Sequence, residues 1–98
     1  MNRMNLDKPA SLATLNTILA RSGFEVILAK GNGYYYVTSD DPLTYAVLQE
    51  GRGEQGLYGL GPYLNKHSAR TWVREVASKF DHAEGMVVRN ALLALAAK

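Results

Sequence analysis

Residues 24–38 read FEVILAKGNGYYYVT, two runs of β-branched and aromatic residues on either side of Gly31-Asn32-Gly33. An Asn-Gly pair between such runs is typical of a tight β-hairpin, because the favoured turns need positive φ angles at their central residues. The two central residues are either Gly31 and Asn32 or Asn32 and Gly33. The stretch therefore predicts two antiparallel strands joined by a two-residue turn.

Both registers of this hairpin sort its side chains onto the same two faces, since neighbouring strand residues point in opposite directions. One face carries Val26, Leu28, Tyr35 and Val37. The other face carries Ile27, Ala29, Tyr34 and Tyr36. We expect the first face to pack on helices, which leaves two tyrosines on the opposite side of the sheet.

Helical patterns flank the hairpin on both sides. Apolar residues at three- and four-residue spacing predict an N-terminal helix over residues 11–22, and a similar stripe predicts another over residues 69–80, capped by Ser68. Asp81 and Glu84 resemble a capping arrangement that opens a last helix. That helix is apolar around most of its circumference, so it is buried either within the domain or against a second copy of the chain in a homodimer.

The middle of the chain is ambiguous. Asp40-Asp41-Pro42 is typical of a helix start, although residues 42–50 also fit a strand. Five of the nine glycines lie in residues 51–61, which predicts turns around one short strand over residues 56–60. The expected fold is α+β: an N-terminal helix, a small antiparallel sheet of about three strands with an Asn-Gly hairpin, and two C-terminal helices packed on it.

The composition predicts one ordinary globular domain over residues 1–98, with disorder as an option for residues 1–8. The chain is 47% hydrophobic and 20% charged, and its net charge is only +2. Because it has no cysteine, disulfides, thiolate metal sites and thiol nucleophiles are excluded, and a reducing compartment is favoured. No apolar run approaches the ~20 residues of a membrane span, so we expect a soluble, cytoplasmic protein.

Two glycine motifs suggest ligand binding but lack the context it needs. Residues 51–56 (GRGEQG) match the G-x-G-x-x-G of dinucleotide-binding proteins, yet the glycine-rich residues that follow cannot form the required long helix. Residues 56–59 match the G-x-x-G of KH domains, but their two middle residues carry no positive charge. We therefore expect no cofactor.

A small enzyme is the second alternative for the function of the chain. His82 together with Asp40 or Asp41 would supply its acid-base groups, although the chain has no nucleophile-elbow motif. Neighbouring carboxylates at a helix start normally bind the free amides of the first turn, so no metal site is expected there. The expected function is accordingly non-enzymatic.

The tyrosines are the most informative candidate site. Six occur in 98 residues, and Tyr34, Tyr36 and Tyr58 are predicted to bind a protein partner, since tyrosine is enriched at interfaces. The same rings could instead lie under the last helix or in a homodimer. A first alternative is a nucleic-acid-binding module that stacks bases on the tyrosines. Its phosphate contacts would be Arg70, Arg74 and Lys79.

Residues 30–37 (KGNGYYYV), residues 57–60 (LYGL) and a helix that contains Trp72 follow one another within residues 24–80. In these features the chain resembles a group of small uncharacterised proteins of phages and other bacterial mobile elements. The chain departs from that group in its glycine-rich residues 57–61 and in its extra C-terminal helix. The resemblance implies a bacterial protein that binds a host or phage protein, and it carries over no catalytic residues.

Overall fold

The computed structural model describes residues 5–50 and 56–98, and within them the chain has the expected α+β fold. The helices are α1 (Leu12–Ala20), α2 (Pro42–Glu50), α3 (Ala69–Ala77) and α4 (Met86–Ala96). The strands are β1 (Ile27–Lys30) and β2 (Tyr35–Thr38), and 3-10 turns span Tyr58–Leu60, Leu64–Lys66 and Ala83–Gly85. Residues 42–50 are thus a helix and not a strand.

The strands β1 and β2 form the predicted antiparallel hairpin. Leu28 pairs with Val37, and the central turn residues are Asn32 and Gly33. The Gly31 N–H donates to the Tyr34 carbonyl at 2.7 Å and closes the turn. Only Gly33 has a positive φ in this turn, at 84°. Asn32 keeps an ordinary negative φ, so the turn is not one in which both central residues are left-handed.

The two faces of the hairpin are those that the alternation predicted. The inner face is buried in the core and consists of Val26, Leu28, Tyr35 and Val37. Beneath it lies Trp72 of α3, whose ring meets the Tyr35 ring edge-on at a centroid distance of 5.5 Å. The Trp72 indole N–H donates to the Leu64 carbonyl at 3.1 Å, which satisfies the one polar atom of this fully buried side chain.

Residues 56–60 do not form the predicted third strand. Gly56 makes a single β-bridge with Tyr36, and the chain then enters a 3-10 turn. The reason is the spacing of two core residues: Leu57 and Leu60 are both buried, and the Leu60 N–H donates to the Leu57 carbonyl. A strand would point residues three apart to opposite faces, whereas a 3-10 turn points both into one core.

Both edges of the hairpin are occupied near its centre. The Asn16 side chain of α1 donates to the Leu28 carbonyl at 3.0 Å and accepts from the Leu28 N–H at 2.7 Å. On the other side, the Leu57 N–H donates to the Tyr35 carbonyl at 2.7 Å. The amide of Asn16 thus replaces a neighbouring strand at β1, a role that the helical pattern of α1 does not reveal.

Polar caps position the helices around the hairpin. Ser11 accepts a hydrogen bond at the start of α1, and Ser68 accepts one at the start of α3, as predicted for Ser68. Asp41 caps α2, where its Oδ2 accepts from the Thr44 N–H at 2.9 Å. The 3-10 turn before α4 is capped by the His82 side chain instead of the expected Asp81.

The N-terminal segment and α4 complete the packing around α3. The Ala69 N–H donates to the Lys8 carbonyl, so residues 5–8 lie against the start of α3. Helix α4 packs along α3 and buries Val88, Leu92 and Leu95. None of the helices in residues 5–50 and 56–98 combines the length and the apolarity that crossing a bilayer requires.

Candidate functional site

The rings of Tyr34, Tyr36 and Tyr58 lie together and form what we call the tyrosine cluster. Tyr34 is central: its ring centroid lies 6.1 Å from that of Tyr36 and 5.1 Å from that of Tyr58. The ring planes are tilted by 49° and 40°, and both separations fall in the range of attractive aromatic pairs. The structure therefore brings together all three residues that the sequence singled out for partner binding.

Two different segments supply the cluster. Tyr34 and Tyr36 project from the outer face of the hairpin, because they alternate with the buried Tyr35 and Val37. Tyr58 reaches them through the bridge between Tyr36 and Gly56, which lays the start of the 3-10 turn beside β2. A single bridge, and not the predicted third strand, thus places Tyr58 beside Tyr34.

Two glycines give the cluster its close packing. A Cβ atom added at Gly31 would lie 2.6 Å from Cζ of Tyr34, and one added at Gly56 would lie 2.8 Å from both the Tyr34 and Tyr58 rings. The rings therefore lie directly on the backbone at these positions, which a larger residue would prevent. The sequence pattern did not reveal either role, because it placed Gly31 in the hairpin turn and Gly56 in the predicted short strand.

The cluster is partly open to solvent. Tyr58 is 69% exposed. Tyr34 and Tyr36 are half-buried, and part of that burial comes from the contact between their own rings. A rigid group of aromatic rings at the surface offers contact area at a small cost in conformational entropy.

The basic residues of the nucleic-acid alternative lie elsewhere. Arg70 donates to Asp7 Oδ1 at 3.1 Å, to the Lys98 carbonyl at 2.9 Å and to the Ala96 carbonyl, so its guanidinium caps the end of α4. Arg74 is on α3, which packs on the inner face of the hairpin, and Lys79 follows the same helix. A base stacked on the tyrosine cluster would be on the opposite face from these residues.

The structure does not bring together the groups of the enzyme alternative. Asp41 is at the start of α2, where its carboxylate binds Thr44, and these hydrogen bonds hold the pKa of Asp41 below its usual value. His82 is beside the end of the same helix, with its Nδ1 atom 3.6 Å from Glu50 Oε2. Nine helical residues separate the two ends by about 13 Å. Asp40, next to Asp41, is exposed.

Glu50, His82 and Glu84 form an exposed cluster that the sequence did not predict. Their nearest ligand atoms all lie within 4.8 Å of one another. The Glu84 carboxylate raises the pKa of Glu50 through a hydrogen bond and through its charge, and His82 opposes this. An imidazole with two carboxylates could hold a divalent transition-metal ion such as Zn²⁺. Residues 50 and 84 meet only because the end of α2 contacts the turn before α4.

Residues 51–55 of the G-x-G-x-x-G string lie outside the part of the chain that the structure describes. Its last residue, Gly56, lies against the rings of Tyr34 and Tyr58. Comparison of the chain with protein-family models, with curated proteins and with solved structures finds no match. The tyrosine cluster is therefore the candidate functional site.

Proposed function

We propose that the protein is a non-enzymatic interaction module that binds a partner protein through the tyrosine cluster. The observation that carries this proposal is the contact of three rings from two segments on the face that turns away from the core. Exposed tyrosine is enriched at interfaces, because it combines a large apolar ring with a hydroxyl group that can form hydrogen bonds.

Binding would use side chains and not the addition of a strand. A partner strand needs free N–H and carbonyl groups along a sheet edge. In this hairpin, Asn16 occupies both backbone groups of Leu28, and Leu57 occupies the Tyr35 carbonyl. The rings of the cluster are therefore the feature of the hairpin that is suited to making contact.

The resemblance to small proteins of phages and mobile elements suggests where the partner comes from. We propose a host or phage protein of the bacterial cytoplasm. The small net charge of +2 agrees better with a protein than with a nucleic acid, whose binding gains most of its strength from neutralised phosphates.

Affinity capture from bacterial lysate tests the proposal. The bait proteins are the wild type, the Tyr34→Ala/Tyr36→Ala double variant and the control Tyr63→Ala, which removes a tyrosine that is 62% exposed and is not in the cluster. We expect the wild type and the control to retain the same proteins and the double variant to lose them. Circular dichroism confirms that each bait is folded.

Salt dependence separates the two kinds of ligand. Phosphate contacts make affinity fall steeply as salt rises from about 50 to 200 mM, whereas an aromatic protein contact changes little. Retention of the same proteins by the double variant would refute the proposal. A captured nucleic acid whose binding falls steeply with salt would favour base stacking instead.

A further inference from the structure

Helix α4 exposes a face without a charged side chain. Its exposed residues are Met86, Val87, Asn90, Leu93 and Ala94, and we call them the α4 face. Val87 is 67% exposed, and Asn90 is the only polar member. The solvent side of a surface helix normally carries charged residues, so this pattern is typical of a helix that has a further contact.

A shallow groove extends the α4 face toward α2. Most of its lining side chains are apolar, and Leu43 among them is 78% exposed. Val87 and Glu84 also line the groove. Val87 therefore belongs both to the α4 face and to the groove, and Glu84 lies beside it at the N-terminal end of the helix.

The charges at the two ends of the α4 face have opposite signs. Glu84 lies before the helix, and Lys98 lies two residues after its end at Ala96. Lys98 is exposed and directly follows Ala97, the C-cap residue of α4. Ala91 is midway between Glu84 and Lys98 in the sequence.

We propose that a second copy of the chain covers the α4 face, with the two α4 helices antiparallel and crossing at a two-fold axis near Ala91. This arrangement sets Glu84 of each copy against Lys98 of the other, whereas a parallel pair would set like charges together. The members of the α4 face are themselves uncharged. Arg89, the one charged residue within α4, turns its Nη1 toward Met86 Sδ at 3.8 Å.

The contact is small, so the dimer is reversible. Eleven helical residues span about 16 Å, and a face of this length falls short of the ~800 Å² that each partner buries in a standard interface. We expect a dissociation constant of roughly 10–100 μM, which places the transition within reach of solution measurements. The α4 face shares no residue with the tyrosine cluster, so this inference is independent of the proposed function.

Sedimentation equilibrium of the full chain from about 5 μM to 1 mM tests the dimer. The mass is expected to rise from 10.8 kDa toward twice that value. Val87→Glu places a carboxylate within the apolar contact and should keep the chain monomeric. Tyr63→Glu makes the same change at a similarly exposed residue outside the α4 face and should leave the dimer intact.

Charge reversal tests the antiparallel orientation. Glu84→Lys alone and Lys98→Glu alone should each weaken the dimer by roughly 5-fold, because every dimer contains the pair twice. The double variant should restore the wild-type dissociation constant. A monomer at every concentration, or equal loss in Val87→Glu and Tyr63→Glu, would overturn the proposed dimer, and failure of the double variant to recover would overturn its geometry. Tyr58→Ala should leave the dimer unchanged.

Discussion

The close packing of the tyrosine cluster depends on the absence of a Cβ atom at Gly31 and at Gly56. At each position the missing Cβ leaves space that a tyrosine ring fills. Neither glycine has a positive φ, so their role is room for the rings and not an unusual backbone. The cluster can therefore be disturbed without removing any of its tyrosines.

Gly31→Ala is expected to displace the Tyr34 ring, because the new methyl carbon would lie 2.6 Å from Cζ. The near-ultraviolet circular dichroism of the tyrosines should change, and partner binding should weaken severalfold. Gly59→Ala is the matched control, since a Cβ there meets no atom within 4 Å and its φ is also not positive. Identical spectra and affinities for the two variants would contradict the assigned role of Gly31.

Asp41 and Glu50 should respond to pH in opposite ways. Because folding lowers the pKa of Asp41, its contribution is present above the unfolded pKa and is lost as pH falls through the folded value. Folding raises the pKa of Glu50, so that group stabilises the fold at low pH and ceases to do so as pH rises through its folded value.

Glu84→Gln tests the origin of the Glu50 shift. Without the Glu84 charge, the pKa of Glu50 should move down toward its usual value, as followed by NMR titration of its side-chain carbon. The variant should also be more stable near neutral pH, and this gain should shrink in acid. Glu75→Gln, which removes an exposed acid on α3, should leave the Glu50 titration as it is. No movement of the Glu50 pKa would mean that Glu84 is not its cause.

The hairpin is the element that the sequence predicted best, and the reason is local. Period-two alternation separated Tyr35 and Val37 from Tyr34 and Tyr36, and the structure has the same two faces. The end of the sheet could not be predicted in the same way. Whether residues 56–60 extend or turn depends on Leu57 and Leu60 reaching one core, which is a tertiary contact.

The Asn16 side chain forms the hydrogen bonds that satisfy the backbone of Leu28 at the edge of β1. Asn16→Ala removes two hydrogen bonds and leaves the partly buried N–H and carbonyl of Leu28 without this partner. We expect the free energy of unfolding to fall by about 1–3 kcal/mol in urea denaturation. Thr17→Ala, on the exposed side of α1, should cost far less. An equal effect of both substitutions would show that the Asn16 contact is not stabilising.

The fold class could be predicted from the order of the sequence patterns, whereas the candidate site could be predicted only in part. The three tyrosines of the cluster were identified because the chain is unusually rich in this residue. Their assembly could not be foreseen, since it requires residues 34 and 58 to meet across a bridge. Glu50, His82 and Glu84 likewise meet through a tertiary contact, the one between α2 and the turn before α4.

The protein thus presents two surfaces with different chemistry. The tyrosine cluster is aromatic and is proposed to bind another protein, while the α4 face is aliphatic and is proposed to bind a second copy. A dimer would display two tyrosine clusters at once. Partner affinity could then rise with protein concentration through simultaneous contacts.

The most direct measurement is the affinity of the captured partner for Tyr58→Ala compared with Tyr63→Ala, by isothermal titration calorimetry. Both tyrosines are well exposed, at 69% and 62%, so neither change should disturb the core. If the tyrosine cluster is the binding site, Tyr58→Ala weakens binding by roughly 10-fold or more and Tyr63→Ala leaves it nearly unchanged. Equal affinities for the two variants would show that the tyrosine cluster is not the binding site.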